Sequence, residues 1–363
     1  MIVLIKENIL VINPGSTSTK VALFRKGQSV KQKNLNHPND ELEKFEKITD
    51  QYDYRKAIIL EWLREEGISL DSLIAVVGRG GLLKSMPGGT YKVTDAMIED
   101  LKIGIQGEHA SNLGGIIAKS IADDQEIPSF IVDPVAVDEF EDVARISGMP
   151  ELPRKSLVHA LNINAVARRA AADLGKSIGK VNFVIAHLGG GISIAPLKKG
   201  KIVDVNNAKE QGPFSPERAG GLPAGDIIRM SFSGKYTQAE LKKKTVGKAG
   251  LVGYLGTNDA REVEKMINQG DKNADFIYDA MAYQIAKEIG AMSTVLKGKV
   301  DAIVITGGLA HSKLLCDRIG NRIKFIAPLM IYPGEDEMLA LAEGAMRILN
   351  GEEKPKIYEE EVK

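Results

Sequence analysis

The chain has 363 residues, enough for two domains of about 150 residues each, and its 48 basic and 48 acidic residues leave no net charge. With 44% hydrophobic residues it is not a disordered chain, and its neutrality argues against a protein that coats nucleic acid. The single cysteine, Cys316, excludes an internal disulfide, and the five histidines are too widely spaced for a structural zinc site. No apolar run reaches the roughly 20 residues of a membrane helix. We therefore expect a cytoplasmic protein with neither a nucleic-acid nor a membrane partner.

The first predicted element is a meander of three strands, which recurs in the second half of the chain. Residues 11–30 and 184–203 align without gaps at an offset of 173 positions. Six positions are identical in the two copies: Val11, Ile12, Ala22, Lys26, Gly27 and Val30 match Val184, Ile185, Ala195, Lys199, Gly200 and Val203. In each copy one strand enters a turn of small residues, a second leaves it, and Lys-Gly forms a tight turn before a third. Chance likeness of short strands is the alternative, but an offset near half the chain length favours a duplication.

Strands and helices alternate between and after the two meanders. Periodicity predicts helices over residues 41–66, 158–174, 281–296 and 338–349, and buried strands over 73–77, 130–132 and 302–305. Gly175 ends one of these helices at a position that favours a positive φ. The charged tail from residue 352 onward is expected to fray. This alternation predicts an α/β protein with mixed sheets covered by helices.

Two glycine-rich turns occupy equivalent places in the two meanders. Residues 13–20 read NPGSTSTK, in which glycine lets backbone amides converge on an anion, hydroxyls add donors and Lys20 adds positive charge. Residues 187–193 read HLGGGIS. The first turn is not a Walker loop, because it lacks GKS or GKT and leads into a strand. Such turns are often purely structural, but two at equivalent places predict a phosphate chain held from both halves.

A third glycine turn, TGGLAHS at residues 306–312, follows a buried strand. Glycine there leaves room for a base or a ribose, although close packing of strand and helix explains it equally well. A related glycine loop at residues 253–261 ends in charges, and the acidic GEDE of residues 334–337 precedes the last helix.

These motifs together resemble a known family. NPGSTSTK, VVGRGG, HLGGGIS, PERAGGLPAGD, TGGLAHS and PGEDEMLALAEGA occur in this order along essentially the whole chain. They are similar to the motifs of butyrate kinases, which are short-chain carboxylate kinases of the acetate kinase, sugar kinase, Hsp70 and actin superfamily. The resemblance implies two duplicated ribonuclease-H-like domains with ATP and Mg²⁺ in the cleft between them. One domain would cover residues 1–150 and be completed by a C-terminal helix at about 338–350, and the other would cover 151–337.

The resemblance also implies roles for particular residues. Around the phosphates it places Asn13, Ser16, Ser18 and Lys20, together with His187, Gly189, Gly190 and Gly191. Around the adenosine it places Asp259, Arg261, Gly308, Leu309 and Ser312. Among the catalytic residues it places Arg79 at the substrate carboxylate, Asp133 near the transferred phosphoryl group, His187 beside it and His159 close by. With Asn13, either Asp336 or Glu337 is implied to hold Mg²⁺.

The chemistry of carboxylate phosphorylation fits these residue types. A carboxylate is already ionised at neutral pH, so it needs relief from repulsion by the γ-phosphate and in-line positioning rather than a base. Arg79 can hold a carboxylate with paired donors, while Mg²⁺, Lys20 and His187 spread the developing charge. Asp133 would repel the phosphates, which favours a role in orienting Arg79 or a metal-bound water. Ordinary alternatives are an exposed loop cation for Arg79, a turn residue for Asp133 and a capping residue for His159.

One departure from acetate kinases concerns their Arg-x-Gly-Asp motif, where this chain has Pro223-Ala224-Gly225-Asp226. Arg218 is the candidate to replace the missing charge. The resemblance as a whole implies a homodimer or larger homo-oligomer that phosphorylates butyrate or a branched short-chain acid reversibly with ATP, yielding ADP and an acyl phosphate. An acetate kinase is one alternative, and an actin-like or Hsp70-like ATP-driven binding protein is another.

Overall fold

The structure is a computed structural model that describes residues 7–362. In chain order its strands are β1 (Asn8–Pro14), β2 (Ser18–Arg25), β3 (Gln28–Asn36), β4 (Leu73–Arg79), β5 (Thr90–Lys92), β6 (Ser129–Val132), β7 (Asn182–Leu188), β8 (Ile192–Lys198), β9 (Lys201–Ile202), β10 (Ala302–Gly307), β11 (Leu329–Pro333) and β12 (Lys356–Ile357). Its α-helices are α1 (Asn39–Leu42), α2 (Tyr52–Glu65), α3 (Asp95–Ile103), α4 (Asn112–Asp123), α5 (Ala160–Asp173), α6 (Ala224–Ser231), α7 (Gln238–Thr245), α8 (Gly250–Leu255), α9 (Ala260–Asn268), α10 (Lys272–Val295), α11 (Lys313–Ile323), α12 (Glu337–Leu349) and α13 (Tyr358–Glu361). Within the described range no helix combines the length and hydropathy needed to cross a bilayer.

The described chain divides into two compact units. The first unit comprises residues 7–138 and 336–362. Its seven-stranded sheet has the order β12-β5-β6-β4-β1-β2-β3. The parallel neighbours β1, β4 and β6 are almost fully buried because α4 and α12 cover them, and the core includes Leu10, Ile12, Trp62 and Ile117. As parallel strands end at the same edge, the residues that end β1 and β4 lie side by side.

The second unit comprises residues 139–335 and has a five-stranded sheet of order β11-β10-β7-β8-β9. Strand β10 runs parallel to both β7 and β11, and the long helix α10 packs on the sheet. The predicted apolar stripe of α10 is confirmed, since Met281, Ile285 and Ile289 are buried among strand residues. The core of this unit extends to the residues that flank the glycine turns after β7 and β10, among them Leu188 and Ile305.

The predicted meander is present in both units. β1, β2 and β3 pair antiparallel in sequence, as do β7, β8 and β9, and each Lys-Gly turn has positive φ at both residues. The turn after β7 is one residue shorter than the turn after β1, so Ala22 pairs with Val11 whereas Ala195 pairs with Ile185. The ungapped alignment of the two copies is therefore wrong by one residue along the first strand. The prediction of a three-stranded meander in each half is confirmed.

The predicted strands at 73–77, 130–132 and 302–305 and the helices near 158–174 and 338–349 are confirmed, and Gly175 has a φ of 65°. The continuous helix over 41–66 is wrong. Only Asn39–Leu42 and Tyr52–Glu65 are α-helical, with a 3₁₀ turn at Ile48–Gln51 between them. The carboxylate of Asp50 accepts from the Lys47 amide at 3.1 Å, a local side-chain bond that starts a new turn and competes with a continuous helix.

The expectation of a frayed tail is also wrong. β12 pairs in parallel with β5, and Tyr358 is only 1% exposed with its hydroxyl 2.7 Å from Asp100 Oδ2. Burial is the main reason that the pKa of Tyr358 is raised, so the hydroxyl stays protonated and donates. One buried tyrosine thus fixes a segment whose composition alone indicates solvation.

Replacing Tyr358 with phenylalanine is expected to lower the free energy of unfolding by about 1 kcal/mol, because Asp100 loses a donor in a largely buried place. Asp100 keeps Lys84 at 2.9 Å, which limits the loss. Urea unfolding measures it, with the change of the half-exposed Tyr283 to phenylalanine as the matched control. A change no larger than that of the control contradicts the role given to the tail.

Candidate active site

In the first unit, the turn from Gly15 to Ser18 joins β1 to β2. The Gly15 amide donates to the Ser18 carbonyl at 2.7 Å, which closes the turn. Ser16 is exposed and Ser18 is half-buried, and the exposed Lys20 pairs with Asn13 across the two strands. The four predicted phosphate ligands of this turn therefore lie around one end of the β1–β2 hairpin.

A cluster of Asn13, Arg79 and Glu337 lies at the same edge of the first sheet. Asn13 and Arg79 come from the ends of neighbouring parallel strands, and Glu337 is the first residue of α12. Glu337 accepts from Asn13 Nδ2 at 2.7 Å and from Arg79 Nη1. Arg79 is 19% exposed, so it is not a freely exposed loop cation. Asp336 is exposed and instead caps α12, accepting from the Leu339 amide at 3.0 Å.

The oxygen ligands of this cluster suit Mg²⁺. The Asn13 amide donates through its nitrogen, which leaves its oxygen as a ligand atom, and Glu337 adds a carboxylate. Across residues 7–362 no group of three or more histidine, cysteine or acidic side chains could hold an ion by itself. Since Mg²⁺ is usually bound by one or two protein oxygens together with substrate phosphates and water, these residues fit a metal that arrives with a nucleotide.

Asp133 follows β6 and has a φ of 40°, which places it in the left-handed region that aspartate tolerates better than most residues. It is 6% exposed. Its Oδ1 accepts from the Gly89 amide at 2.8 Å, and its own amide donates to the Gly89 carbonyl at 2.9 Å. The two bonds fasten the beginning of β5 to the end of β6. These contacts are those of an anchored turn residue, and they fix the position of the carboxylate.

In the second unit, His187 and His159 form a stacked pair with ring centroids 4.1 Å apart. His187 is 1% exposed. Its Nδ1 lies 2.8 Å from Asn162 Oδ1, and its Nε2 lies 3.1 Å from Glu335 Oε1. His159 precedes α5, and its Nδ1 is hydrogen-bonded to Ser193 Oγ at 2.9 Å. The predicted catalytic histidines therefore lie together, and an anionic group meets the Nε2 atom of His187.

A cavity of about 760 Å³ opens beside the glycine turn of the second meander. Seven of the predicted nucleotide residues line it: Gly189, Gly190, Asp259, Arg261, Gly308, Leu309 and Ser312. Gly191 completes the turn but is buried. The volume lies within the range of small-molecule sites, and the three glycine-containing segments that the sequence singled out supply most of its wall.

The half-buried Asp259 and the exposed Arg261 form an ion pair at one side of the cavity. Asp259 caps α9 by accepting from the Arg261 amide at 2.9 Å, and Arg261 Nη2 lies 2.6 Å from Asp259 Oδ2. The hydrogen bond from the Arg261 side chain lowers the pKa of Asp259 to about 2, so the carboxylate is ionised at neutral pH. Both charges are in place to contact a sugar or a base.

Arg218, the residue singled out for the departure at Ala224, packs on the glycine turn. A Cβ atom at Gly191 would come within 2.4 Å of Arg218 Nη1, so the guanidinium lies directly against this glycine. Arg218 Nη1 donates to the Ala208 carbonyl at 3.1 Å, and in the described chain its Nε is buried without a hydrogen-bond partner. The turn is held in addition by Ser215 Oγ, which donates to the Gly190 carbonyl at 2.6 Å.

Sequence reasoning missed several residues of the cavity wall, among them Glu217, Asn258, Glu264 and His311. Glu264 accepts from the hydroxyl of Tyr278 at 3.1 Å and also from Ser312 Oγ. It therefore orients the hydroxyl of Ser312, one of the predicted nucleotide-binding residues. It lies one helical turn after Arg261 on α9, which is the only sequence signal that could have found it.

Comparison with solved structures identifies the fold. The structure matches the crystal structure of an acetate kinase from Porphyromonas gingivalis with a TM-score of 0.78 at 20% identity, covering 94% of this chain and 100% of that one. It matches that of a propionate kinase from Francisella tularensis with a TM-score of 0.72 at 19% identity, covering 93% and 98%. The fold is therefore the actin-like fold of this class of kinases, as the resemblance implied.

Sequence comparison gives the family. Residues 152–327 match the model of the Acetokinase family. The chain is 56% identical over 351 residues to a "Probable butyrate kinase" of Clostridium botulinum (strain Eklund 17B / Type B), covering 96% of this chain and 99% of that protein. It is 54% identical over 354 residues to "Butyrate kinase 2" of Clostridium acetobutylicum, covering 97% and 99%. The chain belongs to the Acetokinase family, in the group of the butyrate kinases. The predicted enzyme class, a phosphotransferase, is confirmed.

Proposed function

We propose that the protein transfers the γ-phosphoryl group of ATP to butyrate, or to a branched short-chain relative, and releases ADP and an acyl phosphate. The choice of butyrate as the acid is supported by the names of the relatives at 54–56% identity, which are butyrate kinases. The observation that carries the nucleotide is the 760 Å³ cavity lined by seven residues of the predicted set. Because the acyl phosphate is a high-energy mixed anhydride, the same protein can run toward ATP synthesis.

In this proposal the second unit binds the nucleotide. Adenosine lies against Gly308 and Leu309, with Asp259, Arg261 and Ser312 at its edges, and the phosphates lie along the turn from Gly189 to Gly191. The close contact of Arg218 with that turn supports Arg218 as the source of the charge absent at Ala224. His187 then donates from Nε2 to the transferred phosphoryl group in the place that Glu335 occupies here. His159 holds the imidazole plane by stacking.

The first unit supplies the groups for the acid and the metal. Ser16, Ser18 and Lys20 bind phosphate oxygens through the β1–β2 turn. Mg²⁺, when bound, neutralises charge on the phosphates, and Asn13 with Glu337 would hold it, with Asp336 adjacent in sequence.

Arg79 receives the substrate carboxylate with its forked donors. The carboxylate of Glu337, which accepts from Arg79 Nη1, shows that this guanidinium can hold a carboxylate. Asp133, fixed by Gly89, orients these groups rather than touching the phosphates. We further propose that the two units are the two domains of a duplicated chain that works in the cytoplasm as a homodimer or a larger homo-oligomer.

A hydroxylamine trap tests the reaction and its acid. The purified protein with ATP, Mg²⁺ and acetate, propionate, butyrate or isobutyrate is expected to form the acyl hydroxamate, with the highest kcat/KM for butyrate or isobutyrate. A preference for acetate would replace the proposed substrate by that of an acetate kinase. Hydrolysis of ATP that no carboxylate affects, with no hydroxamate, would favour the ATP-driven binding protein instead.

A further inference from the structure

A fully buried arginine contacts the turn between β1 and β2 from below. Arg55 of α2 is 0% exposed. Its Nη1 donates to the Gly15 carbonyl at 2.7 Å and to the Ser18 carbonyl at 3.3 Å, and its Nη2 donates to the Ser16 carbonyl at 2.9 Å. Three of the four carbonyls in the turn from Gly15 to Ser18 are therefore directed at one guanidinium group.

The remaining contacts of Arg55 fix the guanidinium plane. Gln51 Oε1 accepts from Nε at 3.0 Å and from Nη2 at 2.7 Å. Thr19 Oγ1 accepts from Nη1 at 3.2 Å, so the Thr19 hydroxyl can donate to His37 Nε2 at 2.8 Å. Burial, with a smaller contribution from Arg55, lowers the pKa of His37 to about 4, which keeps this imidazole neutral and able to accept. Each contact has a neutral acceptor, and only a planar fork of donors reaches all of them.

This arrangement determines where the amides of the turn point. In a planar trans peptide the carbonyl and the following N–H point in opposite directions. Because the carbonyls of Gly15 and Ser16 point at Arg55, the N–H groups of Ser16 and Thr17 point away from it. Ser16 and Thr17 are exposed. Successive N–H groups directed to one side form a concave anion-binding surface. Arg55 also stays charged at neutral pH, since burial lowers its pKa only to about 10.

We propose that Arg55 is a positioning residue, which holds the Gly15–Ser18 turn in the conformation that presents the N–H groups of Ser16 and Thr17 to the phosphates of the nucleotide. The inference rests on the phosphate-binding role given to this turn in the proposed function. Arg55 touches neither substrate, so its contribution is separable from that of Arg79 and Lys20. Its effect should fall on the nucleotide and spare the acid.

The change Arg55→Lys tests this, because lysine keeps the charge but cannot replace the fork. Arg64→Lys, an exposed site on the same helix, is the matched control. We expect Arg55→Lys to lower kcat/KM for ATP at least tenfold and to weaken ATP binding in calorimetry, while KM for butyrate changes less than twofold. The proposal would be overturned if Arg55→Lys impaired the use of ATP and the use of butyrate to the same extent. It would also be overturned if ATP binding stayed within twofold of wild type.

A second variant covers the case in which Arg55→Lys does not fold. Gln51→Ala removes the acceptor on the far side of the guanidinium and leaves the turn itself untouched. It is expected to weaken ATP binding about threefold with KM for butyrate unchanged, and ATP binding equal to that of wild type would overturn the proposal. Calorimetry measures ATP binding without turnover, so it tests the positioning role of Arg55 independently of the proposed reaction. The proposed reaction itself fails if the wild-type protein forms no hydroxamate from any of the four acids.

Discussion

Replacing Arg79 with alanine is expected to lower kcat/KM for butyrate at least about 150-fold, a loss of ~3 kcal/mol of transition-state stabilisation. Arg79 ends β4 and is mostly buried beside Asn13 and Glu337, so its guanidinium is held in place before the acid binds. When the acid binds, the positive charge of Arg79 offsets the repulsion between the carboxylate and the γ-phosphate. The acid is already ionised, so the reaction needs this charge and not a base. The hydroxamate assay measures the loss, and KM for ATP is expected to change less than kcat.

Two controls separate this role from simple damage to the cluster. Arg79→Lys keeps the charge and loses the fork, so it should recover only part of the activity. Arg79→Ala also leaves Glu337 without one of its donors, and adding Glu337→Gln removes that unpaired charge. The double variant should be no faster than Arg79→Ala with butyrate. A loss below tenfold in Arg79→Ala, or recovery in the double variant, would retire Arg79 as the carboxylate ligand.

The fold was predictable where the physics is local. Each meander follows from apolar strands and from a Lys-Gly turn whose two residues take positive φ. The failure at the C-terminal tail depended on a contact distant in sequence, whereas the break in the predicted helix over 41–66 comes from a local side-chain bond. The tail is polar in composition, yet one side chain, Tyr358, finds a buried carboxylate 258 residues away. No periodicity reports such a contact. The one-residue difference between the two glycine turns likewise depends on strand pairing rather than on residue type.

The site shows the same division. Glycine-rich turns are visible in a sequence, and those after β7 and β10 line one cavity. Glu264 and Arg55 are ordinary charged residues on helices, and nothing local distinguishes Arg55 from the exposed Arg64 on the same helix. Only the path of the chain places Arg55 against three carbonyls of a distant turn. Glycine-rich turns are therefore easier to single out in a sequence than the residues that hold such turns in place.

The second large effect is expected at His187. Replacing His187 with alanine should lower kcat 100- to 1,000-fold, the range seen when one donor to a developing oxyanion is removed. Asn162 Oδ1 lies 2.8 Å from Nδ1 and Glu335 Oε1 lies 3.1 Å from Nε2, on opposite sides of the ring, and a hydrogen on Nε2 is donated to the Glu335 carboxylate. The imidazole is thus arranged to give a hydrogen bond from Nε2 to an anion. A phosphoryl oxygen would take the place of the Glu335 carboxylate.

His187→Gln supplies the discriminating comparison, since its amide can still donate and should retain more activity than alanine. Steady-state kcat at saturating ATP and butyrate gives the main readout, and calorimetric ATP affinity should change far less because the bond strengthens in the transition state. Asn162→Ala frees Nδ1 of His187 without removing the ring, so its kcat should fall between those of wild type and His187→Ala. If ATP affinity and kcat fell together in all three variants, His187 would be part of the wall that shapes the nucleotide site and not a group that acts on the transferred phosphoryl.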